Sequence, residues 1–105
     1  MSNDFRPPSG KELLVLGLLV SHREMYGLEM VNAASDQLAR GTIYVLLGRM
    51  EDKGLVVSRQ IKTEGASGLP KRVYALTGLG QRTYRAWQHA REAFGTGEAI
   101  VGGVA

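Results

Sequence analysis

The sequence predicts a mainly α chain with one small β-hairpin, an α+β fold, and three observations carry that prediction. Apolar residues recur at helical spacing in three successive stretches before Leu55. The period then switches to strand alternation on both sides of a glycine-bearing loop. Beyond Thr77 it returns to helical spacing. The chain's 105 residues fit one domain, and a hydrophobic content of 44% is enough to build a core.

Residues 1–8, with Asn3, Asp4 and the pair Pro7-Pro8, read as a flexible N-terminal arm. Ser9-Gly10-Lys11-Glu12 fits a capping box, in which the Ser9 hydroxyl accepts from an early helix amide and Glu12 reaches back. Leu13, Leu14, Leu16, Leu18, Leu19 and Val20 follow, so the first helix, about residues 10–21, is apolar around most of its surface and central. A second helix over residues 26–34 offers Leu28, Met30 and Val31 to the core. Ser35-Asp36-Gln37 breaks it, and Leu38 anchors the following turn. A third helix starts near Gly41-Thr42 and ends at Lys53-Gly54. Its Ile43, Leu46, Leu47 and Met50 fall on one face, and Gly54 stands at the C-cap position.

Residues 55–61 and 72–76 alternate as two short strands around the loop Glu64 to Pro70. Thr77 is a suitable N-cap for a fourth helix, whose stripe is Leu79, Thr83, Ala86, Ala90 and Ala93, with Trp87 and Phe94 alongside. Gly95, Gly97, Gly102 and Gly103 predict a frayed tail over residues 95–105. The organisation expected is an arm at 1–8, a body at 9–76, a helix at 77–94 and a tail at 95–105. Three helices followed by a two-stranded wing is the winged helix-turn-helix layout, here with one added C-terminal helix.

Composition excludes several classes. The chain has no cysteine, so disulfides, thiolate metal sites and cysteine nucleophiles are absent. The longest apolar run, Leu13 to Val20, is far short of the roughly 20 residues of a membrane span. No basic-then-apolar export signal opens the chain, and a cytoplasmic location is expected. His22 and His89 are isolated and read as solvated or capping residues. There is no Gly-x-Ser-x-Gly elbow, and Gly78-Leu79-Gly80 lacks the third glycine of a dinucleotide fingerprint. No catalytic residue, metal site or cofactor is therefore expected. The net charge of +3 and pI of about 9.5 are a modest basic excess, so placement of the charges has to carry any argument for nucleic acid.

Three segments sharpen the reading. The first is Glu12 to Leu19 with Met25-Tyr26-Gly27-Leu28-Glu29-Met30 behind it. The second is Gly41-Thr42-Ile43-Tyr44-Val45-Leu46-Leu47-Gly48-Arg49-Met50 through Val56. The third is Pro70-Lys71-Arg72-Val73-Tyr74-Ala75-Leu76-Thr77, leading to Gly80. With these segments in this order the chain resembles the PadR-like family of transcriptional regulators, in a short form with a single C-terminal helix, over about Lys11 to Ala90. The resemblance implies a winged-helix homodimer on operator DNA, paired through the fourth helix. It further implies a repressor released by a small, often aromatic, effector. Two positions depart from the family pattern: Val45, often proline there, and Gly48, frequently a long polar or basic residue.

The residues themselves offer two surfaces for double-stranded DNA. A recognition helix enters the major groove by its N-terminal part. Thr42 can donate to a phosphate or base edge, Tyr44 offers a hydroxyl, Val45 suits a thymine methyl, and Arg40 and Arg49 suit phosphates. Tyr44 can alternatively pack between helices two and three, and Arg49 can be solvated beside Glu51 or Asp52. On the wing, Arg59, Lys62, Lys71 and Arg72 cluster around a single acid, Glu64. Such cations also protect edge strands from pairing. For the dimer contact the candidates are Leu79, Thr83, Ala86, Trp87, Ala90 and Phe94, and Trp87 is also a candidate ligand wall. The rival reading is a winged-helix protein-interaction module without DNA reading, kept open by Gly48 and the modest charge.

Overall fold

The cap predicted at Ser9 sets the start of the first helix. The computed structural model of the chain describes residues 7–61 and 71–104, and of residues 95–104 the backbone alone. In α1 (Gly10–His22) the Ser9 Oγ accepts from the Glu12 amide at 3.2 Å, and Glu12 Oε1 accepts from the Ser9 amide at 2.9 Å. Glu12 does more than cap. It is 3% exposed and also accepts from Lys53 Nζ at 2.9 and 3.0 Å. A buried carboxylate left alone would be costly, so this pair fixes the start of α1 against the end of the third helix. The sequence pattern gave no sign of a partner 41 residues away.

Val15, Leu16 and Leu19 of α1 are at most 2% exposed and form the centre of the core. Arg23 ends the helix with φ of 56°, turning the chain directly into β1 (Glu24–Tyr26). This strand was not predicted, since three residues are too few for alternation to show. Glu29 Oε1 then accepts from the Tyr26 amide at 2.8 Å, at the start of α2 (Gly27–Ala33). Met30 is buried and Val31 half-buried, as expected, but Leu28 is 40% exposed. A helix of two turns aims only part of its apolar set at α1. Ala34 and Leu38 are buried on either side of the Ser35 turn, where φ is 57°.

In α3 (Ile43–Asp52) the residues Ile43, Leu47 and Met50 are at most 1% exposed, with Leu46 half-buried. Gly54 follows at φ of 77°, the left-handed position predicted for the C-cap, and its amide donates to the Glu51 carbonyl at 2.9 Å. β2 (Val56–Ile61) and β3 (Lys71–Leu76) pair antiparallel, with Val56 opposite Leu76 and Ser58 opposite Tyr74. β1 adds to the other edge of β3, Met25 opposite Tyr74, so the wing is part of a three-stranded sheet of order β1-β3-β2 rather than a free hairpin.

Thr77 caps α4 (Gly78–Val104): its Oγ1 accepts from the Gly80 amide at 2.9 Å and donates to the Gly54 carbonyl at 2.6 Å. Gly80 sits so close to the Leu55 carbonyl that a Cβ there would overlap it. The helix continues to Val104, which corrects the frayed tail expected from Gly95 onward. Glycine lowers helix propensity by about 1 kcal/mol each without forbidding the helix. At 27 residues α4 is roughly 40 Å long.

Candidate nucleic-acid interface

α3 divides along its length. Its buried face is the core set already described. On the other side Tyr44 and Val45 are 51% and 58% exposed, and Arg40, Thr42 and Arg49 are exposed with them. Thr42 stands at the N-cap, yet its side chain makes no capping bond and stays available. Tyr44 satisfies both readings made of it: half of the ring faces solvent, and the rest covers the backbone of Gly27 at the start of α2. Around Gly48 a Cβ would meet nothing within 4 Å, so its missing side chain leaves an open floor between Tyr44 and Arg49.

The wing brings Lys71 and Arg72 to the same side. Arg72 Nη1 donates to Ser58 Oγ at 2.9 Å, and Ser58 Oγ donates to Glu51 Oε2 at 2.7 Å. This relay joins the end of α3 to the wing and orients the guanidinium. Lys71 Nζ lies 5.1 Å from the centroid of the Tyr26 ring, a cation–π distance. Arg59 does not join them. Its Nη2 donates to both Glu24 oxygens, at 2.9 and 2.8 Å. Neighbouring side chains on a strand point to opposite faces, so Arg59 and Ser58 part company. Lys62 and the loop that follows it lie outside the described residues.

Between α2, α3 and the wing lies a cleft of about 440 Å³, lined by Tyr26, Leu28, Glu29, Tyr44, Arg72 and Tyr74. Tyr74 is 5% exposed, and its hydroxyl is held above the ordinary value of 10.0, first by burial and then by the Glu51 carboxylate. Sequence reasoning placed Tyr74 in a strand but not in this site. Its three tyrosines come from separate segments that only the β1–β3 pairing brings together.

α4 presents a different surface. Tyr84 packs on α1, where its hydroxyl lies 3.0 Å from the position a Cβ on Gly17 would take. Its ring centroid is 6.0 Å from that of Trp87, and the Arg91 guanidinium stands 5.2 Å from the Trp87 centroid. These side chains and Leu14 line a groove of about 370 Å³ between α1 and α4. Thr83 and Trp87 are half-buried, Ala86 and Ala90 are exposed, and Leu79 and Phe94 are 45% and 79% exposed. His22 takes the capping role foreseen for it, with Nδ1 3.0 Å from the Leu18 carbonyl.

A half-exposed third helix flanked by an ordered basic wing defines a winged helix-turn-helix protein of the transcription-regulator class. The profile of the transcriptional regulator PadR-like family matches residues 15–86, and the chain belongs to that family. Its members are transcriptional regulators, not enzymes. Among solved structures, the chain is similar to a transcriptional regulator from Thermoplasma acidophilum, at 31% identity over 80% of this chain and 85% of that one, with a TM-score of 0.61. A PadR family transcription regulator from Clostridium difficile R20291 shares 27% identity over 89% of this chain and 96% of that one, at a TM-score of 0.64. The fold also matches Bacillus subtilis PadR, solved in complex with operator DNA, at 23% identity over 72% of this chain and 45% of that one, with a TM-score of 0.65. No curated protein matches the chain. Among the described residues no helix is long and apolar enough to cross a membrane.

Proposed function

We propose that this chain is a dimeric repressor that reads a palindromic operator with α3 and grips the flanking backbone with its wing. The observation that carries this reading is the shared orientation of two elements. Thr42, Tyr44, Val45 and Arg49 face solvent on α3, and Lys71 and Arg72 stand exposed beside them, Arg72 held by the Ser58–Glu51 relay. Thr42 and Tyr44 supply donors for base edges or phosphates, and Val45 an apolar contact for a thymine methyl. Arg40, Arg49, Lys71 and Arg72 supply the counterion-releasing contacts. The operator complex of Bacillus subtilis PadR supports the same use of the fold.

Pairing through α4 accounts for the exposed Leu79, Ala86, Ala90 and Phe94, which have no packing role within one chain among the described residues. Two reading heads then address half-sites about one helical turn, ~34 Å, apart. The effector part of the reading rests on Trp87, which with Tyr84 and Arg91 offers aromatic faces and a cation to a small aromatic ligand. Saturable quenching of the single tryptophan by such compounds is its test.

Fluorescence anisotropy on duplexes selected from a random pool tests DNA reading. Affinity should fall steeply with salt, and changing Lys71 and Arg72 together to alanine should flatten the slope by about 2, near 0.9 per phosphate contact. A flat salt response, or no change in the double variant, rules the reading out. It would then favour a protein-interaction module.

A further inference from the structure

Tyr44 and Gly27 meet at an unusually close contact. A Cβ built on Gly27 would stand 2.7 Å from Cε1, 2.9 Å from Cζ and 3.0 Å from the hydroxyl oxygen of Tyr44. All three are atoms on the hydroxyl half of the ring, so the side chain lies across the Gly27 backbone. Gly27 itself is buried and opens α2 directly after β1. Its backbone does not require glycine, since the residues with positive φ are elsewhere. The small size of Gly27 is therefore explained by the ring above it and not by local conformation.

We infer that Gly27 is a positioning residue for DNA reading: it gives the Tyr44 ring a flat seat on α2 and so fixes where the hydroxyl projects from the recognition helix. The inference rests on the DNA-reading role of α3 proposed above. Tyr44 has no freedom to yield inward, because Ile43 and Leu47 on the same helix are fully packed. Any side chain at position 27 therefore turns the ring outward or lifts α3 from α2. On its other side the ring borders the cleft shared with Tyr74 and Arg72. Movement of the ring is thus felt by the recognition helix and the wing together. In the seated position the half-exposed ring lies between Thr42 and the open floor at Gly48, in line with Val45.

The test compares wild type, Gly27→Ala, Tyr44→Ala and the double variant by anisotropy on a duplex selected with the wild-type chain, alongside thermal unfolding. Gly27→Ala should lower DNA affinity about tenfold or more, the scale of one lost base or backbone contact. Tyr44→Ala should lose a similar factor. The double variant should bind no worse than Tyr44→Ala alone, and its midpoint should recover relative to Gly27→Ala, because the overlapping ring is gone. If Gly27→Ala fails to fold, the double variant still decides, since it must fold and bind like Tyr44→Ala. Additive losses in the double variant overturn the inference, as does wild-type affinity in Gly27→Ala. Absence of salt-dependent binding by the wild-type chain removes the DNA reading itself and this role with it.

Discussion

α3 and α4 are both amphipathic, but they finish their packing in different places. The apolar face of α3 is closed within the chain, with Ile43, Leu47 and Met50 at most 1% exposed. The apolar stripe of α4 stays open, from Leu79 at 45% to Phe94 at 79% exposed. α3 is thus an element of the core whose outer side is free for a ligand. α4 is anchored at its start, by Thr77, Gly80 and Tyr84, and unpartnered beyond. The difference teaches that one fold carries two kinds of surface: one made specific by the rigidity behind it, and one made adhesive by what it leaves uncovered.

The sharpest way to break this comparison is at the closed side. Leu47→Ala should destabilise the fold by about 2–5 kcal/mol, the cost of a cavity in a packed core, measured by urea unfolding. Gly80→Ala should follow at a few kcal/mol, roughly the range for overpacking, because its Cβ meets the Leu55 carbonyl. At the open side, Ala90→Arg should leave the secondary structure intact and convert a dimer to a monomer in light scattering. A wild-type chain that is monomeric at micromolar concentration would remove the role assigned to α4. Gly48→Ala is the smallest change. With nothing within 4 Å, it should raise stability by up to about 1 kcal/mol. A loss of DNA affinity in the same variant would mean that DNA approaches the helix backbone there.

The sheet side offers a pH test of the same closure. The folded Tyr74 hydroxyl ionises above 10.0, mainly because it is buried. The unfolded chain therefore releases this proton first as pH rises. The stability involved is complete below pH 10.0 and lost as pH climbs through the raised folded value. Tyr74→Phe should shallow the alkaline fall in a pH series of unfolding curves, and an unchanged series would contradict the burial argument.

Local chemistry was the most legible part of the sequence. The Ser9–Glu12 capping box, the Gly54 C-cap and the buried stripe of α3 all depend on residues within one or two turns of each other, where spacing is direct information. The Lys53–Glu12 pair, the Arg59–Glu24 pair and the tyrosine cleft depend on the path of the chain between distant segments, which spacing does not encode. β1 was too short to show a period, and it is the strand that brings Tyr26 beside Tyr74. The end of α4 was misjudged because glycine content was allowed to outweigh the continuity of the helix. Among the site residues, Arg40, Thr42, Tyr44, Val45, Arg49, Lys71 and Arg72 are exposed and so available for the role expected of them. Arg59 is already paired, a fact that only its register opposite Val73 and its reach to Glu24 reveal.

Hydroxyl-radical footprinting of the wild-type chain on a selected duplex tests the central claim most directly, since it reports reading and pairing at once. Two protected patches related by a two-fold axis and centred about one helical turn apart, ~34 Å, are predicted, with protection lost at both when Lys71 and Arg72 are changed to alanine. A single patch, uniform protection along the duplex, or none would contradict it.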